Sequence, residues 1–173
     1  MSKPNVQFLR LMLIAAMFSF AVTQTYAQGQ KLRTSSEHSW AIAEGKTETY
    51  PFQLRFRKIP ASFPRAHYPI RINIFWKMNM PQKNGLASPA DISLMHSFED
   101  RLVATTESDG VAILTLVLTG RGEREFVFFV HSKQEFLKRL SNMPQEIARY
   151  PIEIHANETS SWDYYDNEMR NLK

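Results

Sequence analysis

A chain of 173 residues, 43% hydrophobic and 22% charged, has the composition of an ordinary globular protein and the length of about one domain. It has no cysteine, which excludes a disulfide scaffold, a thiolate metal site, a cysteine nucleophile and a lipid-modified N-terminal cysteine. The net charge of +4 includes Lys3 and Arg10, which lie in a segment that reads as removable; what remains is too weakly basic to imply a nucleic-acid partner.

Residues 1–27 run from cations (Lys3, Arg10) through an apolar stretch (Leu11 to Val22, broken by Ser19) to a small residue, Ala27. That order predicts a secretory signal peptide cut after Ala27 and an exported, periplasmic or secreted product. The apolar run is shorter than the ~20 residues a membrane-spanning helix needs, so no membrane span is expected after cleavage. Residues 28–37 are polar and aperiodic, a flexible lead-in, and residues 38–173 are expected to form a single α+β domain.

Phe52, Leu54 and Phe56 alternate with Gln53, Arg55 and Arg57, the period of a half-buried strand. Ile70, Ile72, Ile74 and Trp76 repeat it, after a stiff connection carrying Pro60, Pro64 and Pro69. Residues 78–88 read as a loop with Asn84-Gly85 turn chemistry. Ser88, Pro89 and Asp91 make a helix start, and Ile92, Met95, Phe98 and Leu102 give the helix its apolar stripe. Val111 to Leu118 is a nearly unbroken apolar run, as expected for a strand covered on both faces. The turn Thr119-Gly120-Arg121-Gly122 returns the chain into Phe126–Val130, with both glycines available for positive φ. Ser132 and Glu135 cap a second helix striped by Phe136, Leu137, Leu140 and Met143. Ile152 and Ile154 mark a last strand, and a short terminal helix follows from about Trp162.

From residue 69 the order is βαββαβ, the ferredoxin-like arrangement: a four-stranded antiparallel sheet with two helices on one face. The strand at 50–58 is expected to add to it as an extra N-terminal edge, paired with residues 69–77.

Trp40, Tyr68-Pro69, Gly85-Leu86, the run Phe98 to Leu102, the run Thr119 to Phe126, and Tyr150-Pro151 followed by Trp162 to Tyr165 occur in an order that resembles the domain-of-unknown-function family 695. The resemblance covers roughly residues 38–173. It implies an α+β domain found mainly in bacteria; it implies no activity and supplies no catalytic residue. Most relatives are expected to be cytoplasmic, whereas this chain begins with an export signal.

Catalytic constellations are sparse. There is no Gly-x-Ser-x-Gly elbow, and His38, His67, His96, His131 and His155 show no His-x-x-x-His spacing. No metal and no cofactor are therefore expected. The candidate binding residues are the aromatics Trp40, Trp76, Trp162, Tyr164 and Tyr165, together with His96, Arg121 and Arg124. Aromatics mixed with polar groups suit a protein- or carbohydrate-binding surface, and equally a helix docking on the core. The sequence thus points to a non-catalytic binding or accessory protein of the envelope, with a possible protein partner. The alternative is a hydrolase-type enzyme using carboxylates with His96, His131 or His155 in a cleft.

Overall fold

The computed structural model describes residues 40–47, 49–146, 149–158 and 162–172. The signal-peptide and lead-in expectations lie outside the described residues. In chain order the elements are β1 (Trp40–Lys46), β2 (Pro51–Arg57), β3 (Ile70–Lys77), α1 (Pro89–Thr106), β4 (Ala112–Gly120), β5 (Glu123–Val130), α2 (Lys133–Asn142), β6 (Ile152–Asn157) and α3 (Asp163–Asn171). The strands form one open antiparallel sheet in the order β1-β2-β4-β5-β3-β6.

Strand alternation divides the apolar residues into two layers. Phe126, Phe128 and Val130 of β5, with Ile72, Ile74 and Trp76 of β3, face Met95, Phe98 and Leu102 of α1 and Phe136 and Leu140 of α2. Val127 and Phe129 of β5, with Ile113 and Leu116 of β4 and Leu54 of β2, pack on the other side with Trp162 and Tyr165. This is why Val111 to Leu118 lacks a polar face. The two predicted helices lie over one face, while α3 and the 59–68 connection lie over the other.

Both predicted caps form. The Ser88 hydroxyl accepts from the Asp91 N–H and donates to its carboxylate, with Pro89 at the first helical position. The Ser132 hydroxyl accepts from the Glu135 N–H. In the β4–β5 turn the positive φ angles belong to Arg121 (55°) and Gly122 (80°), not to both glycines. Gly120 stays in the strand, where a Cβ would meet the Pro51 carbonyl oxygen and Phe52.

The expected pairing of residues 50–58 with 69–77 is incorrect. β2 lies between β1 and β4, and the sheet edge on this side is β1. Both edges of β3 are already taken: Ile72 pairs with Phe128 of β5 and Ala156 of β6. The proline-bearing connection between β2 and β3 is no hairpin. It folds across the α3 face, where Phe63 and Tyr68 pack beside Trp162. β1 escapes sequence detection because its inward residues, Ala41, Ala43 and Gly45, are small, while Trp40 and Ile42 lie on the more exposed side.

Among the described residues no helix is long and apolar enough to cross a membrane.

Candidate functional site

The eight candidate residues separate into packing groups and groove groups. Trp76 is only 2% exposed and packs against Phe98 and Tyr150, so it is core and presents no surface. Trp162 stacks on Phe129 at 3.9 Å, and its indole N–H donates to the carbonyls of Arg65 and Tyr68. The Tyr165 hydroxyl donates to the Arg57 carbonyl and accepts from the Ile59 N–H. These two rings dock α3 on the sheet. Tyr164 is half-buried under the Arg71 guanidinium, with its hydroxyl on the Glu125 carboxylate. His96 is exposed on α1, and Arg121 is exposed at its turn. That leaves Trp40 and Arg124, which lie on the same face of the sheet.

On the helix side the N-terminal hairpin extends past the cover that α1 provides. Here β1 presents Trp40, Ile42 and Glu44, and β2 presents Gln53, Arg55 and Arg57. The pairing registers set Glu44, Gln53, Thr119 and Arg124 side by side across four strands. This polar row is the floor of a groove of about 290 Å³, walled by Gln82, Leu86 and Ala87 of the loop before α1 and by Ile92 of α1. Within the floor, Gln53 donates to Glu44 at 3.3 Å, and Arg124 Nε donates to Thr119 Oγ1 at 2.9 Å. The loop wall is held by Gln82, whose side-chain amide donates to the Ala87 carbonyl.

The charges around this floor are unevenly paired. Arg55 pairs with Glu99 of α1 and lies 4.7 Å from the Trp40 ring centre. Arg57 pairs with the buried Glu107, which also accepts from the Leu114 N–H. Arg124 is 6% exposed, and among the described residues it has no ion-pair partner and no bond besides that to Thr119. Burial lowers its hold on the proton; Glu99 attracts it from a distance and Arg55 repels it. Arg55 Nε and Glu99 Oε2 are also buried without hydrogen-bond partners. Arg124 is thus a buried guanidinium without an ion-pair partner among the described residues, at the end of a row that begins with the exposed Glu44. Buried charges normally have a partner, so this arrangement suits an acidic group entering from outside.

The opposite face holds a second cavity, of about 330 Å³, lined by Tyr50, Phe52, Arg121, Glu123, Glu125 and Glu168 among others. Burial raises the pKa of both Glu125 and Glu168, while bonds from Asn73 and Tyr164 to Glu125 oppose its shift. No histidine lines it. β3 separates His131, at the end of β5, from His155 on β6, so the two are not brought together. Among the described residues no group of three or more His, Asp or Glu side chains is placed to hold a metal ion.

Of the groove's polar floor the sequence reading names Arg124 but not Glu44, Gln53 or Thr119, and of the charges beside it neither Arg55 nor Glu99. Arg55 was visible as the polar phase of its strand. Only the register places it beside α1.

Residues 38–168 match the model of a family described as a family of unknown function, DUF695. No curated protein and no solved structure matches the chain.

Proposed function

We propose that this chain, which belongs to the DUF695 family, is an exported, non-catalytic binding domain of the bacterial envelope whose protein partner seats on the groove between the β1–β2 hairpin and α1. The carrying observation is that one face of the sheet holds exposed apolar side chains and a groove with a buried guanidinium that has no ion-pair partner among the described residues. Trp40 (36% exposed), Ile42 (63%) and Ile92 (37%) are open to solvent beside a floor that ends in Arg124. Binding sites combine apolar contact area with a few placed polar groups in this way. Export is supported by the cationic, apolar, small-residue order of residues 1–27. The carboxylates of the opposite cavity have no histidine beside them, which weighs against a hydrolase site there, while His155 and Glu158 line a separate open pocket at the β6 edge.

The finer fold reading belongs to the same proposal. The strand order β6-β3-β5-β4, with both crossover helices on one face, supports a ferredoxin-like core to which the β1–β2 hairpin has been added beside β4.

The test is a photo-crosslinking residue at Ile42 in the full chain, expressed in a bacterial host and followed by cell fractionation. The expected result is a processed protein in the envelope fraction and one discrete adduct that disappears when Ile92→Asp is added. A chain that stays in the cytosol overturns the export reading. Absence of an adduct from Ile42, with the protein folded and exported, overturns the groove as the partner face.

A further inference from the structure

The guanidinium without an ion-pair partner at the groove's inner end specifies what the occupant carries there. We infer that Arg124 anchors a single carboxylate, presented on a short apolar body that lies against Ile92, Leu86 and Ala87. The inference deepens the binding reading above and rests on the groove being the occupied face.

Three features select this chemistry. The first is the guanidinium itself. Arg124 is nine-tenths buried, its Nε is fixed by Thr119, and its terminal nitrogens have no partner among the described residues. A planar fork held by one edge offers the remaining donors in the geometry a carboxylate accepts. The second is charge. Arg55 is taken by Glu99, whereas Arg124 has no ion-pair partner among the described residues, and a monoanion supplies one. A phosphate dianion would add a second negative charge near Glu44, which lines the groove, and Glu99, which acts on Arg124 from a distance, and is disfavoured on that ground. The third is the wall. Ile92, Leu86 and Ala87 are apolar, and about 290 Å³ lies at the small end of ligand sites, room for a few heavy atoms beyond the acid group. Two sources supply this chemistry: a short free carboxylic acid, or the C-terminal carboxylate of a partner polypeptide.

The experiment titrates the purified processed protein with four probes: butyrate, a tripeptide ending in a free carboxylate, the same tripeptide C-terminally amidated, and inorganic phosphate. Backbone amide shifts of Thr119, Arg124 and Ile92 report binding. Saturable shifts with the free tripeptide but not the amidated one are expected if the source is a chain terminus. Shifts with butyrate as large as those with the free tripeptide are expected if it is a free acid. Arg124→Gln should weaken either at least tenfold while thermal melting stays cooperative. Ile92→Asn, on the exposed wall, removes apolar contact without adding a charge beside the cation; it should weaken binding and keeps the test decisive if Arg124→Gln folds poorly. Tighter binding of phosphate than of any carboxylate, or equal binding of the free and amidated tripeptides with none of butyrate, overturns the carboxylate assignment. No shift with any probe also overturns it. The Ile42 adduct, read separately, then tells whether the groove as a partner face stands or falls with it.

Discussion

Glu107 closes α1 and joins it to two strands of the sheet, so its removal tests the packing directly. Its carboxylate accepts from Arg57 Nη2 at 3.2 and 3.1 Å and from the Leu114 N–H at 2.5 Å, and its side chain is only 2% exposed. Glu107→Ala removes the carboxylate facing a buried guanidinium and orphans a buried N–H of β4. Breaking one side of a buried ion pair costs about 3–5 kcal/mol. For a domain of this size that is a fall in melting temperature of roughly 10–20 °C. The control is the double variant Arg57→Met/Glu107→Leu, in which both charges leave together; it should recover most of the loss, to within about 1–2 kcal/mol of the parent. Urea unfolding of the parent, Arg57→Met, Glu107→Leu and the double variant gives the coupling. A Glu107→Ala variant that loses less than about 1 kcal/mol would refute the argument that this carboxylate is buried and paired.

The other predictions concern the two faces of the sheet. Trp162→Ala removes the ring stacked on Phe129 and should cost about 3–5 kcal/mol, whereas Trp40→Ala, at the groove rim, should cost no more than about 1 kcal/mol; parallel thermal melts check the contrast. Leu116→Asp buries a carboxylate in a fully covered strand and should abolish cooperative melting. Burial raises the pKa of Glu125, so its ionised form disfavours the folded state. That cost is absent below the unfolded-chain value and appears as pH rises toward the folded value. The stability of the parent minus that of Glu125→Gln should therefore fall between pH 4 and pH 8, and urea midpoints at both pH values read the sign.

Local rules that do not depend on tertiary context carried over well from sequence to structure. Ser88 and Ser132 cap because a hydroxyl three residues before an acidic side chain satisfies orphan amides wherever it occurs. Phe126 to Val130 packs on both faces because an apolar run has no polar side to present. The failures came where the partner decides. Gln53, Arg55 and Arg57 read as one solvated strand face, yet Arg57 is buried against Glu107 because α1 ends above it. β1 was invisible because its inward side is Ala41, Ala43 and Gly45, too small to register as a core stripe. Without β1 the strand at 50–58 is expected beside residues 69–77 rather than between β1 and β4, and the groove that depends on the row from Glu44 to Arg124 cannot be assembled.

Whether Arg124 is there for a ligand or for the fold can be decided without knowing the ligand. Natural sites keep groups that destabilise the empty protein, and a buried cation with no ion-pair partner among the described residues is such a group. Arg124→Met fills similar volume with no charge. Its unfolding midpoint, measured in the absence of any added carboxylate, should lie at or above that of the parent. A drop of several degrees would show that the guanidinium stabilises the empty domain, and would contradict its assignment as a binding group.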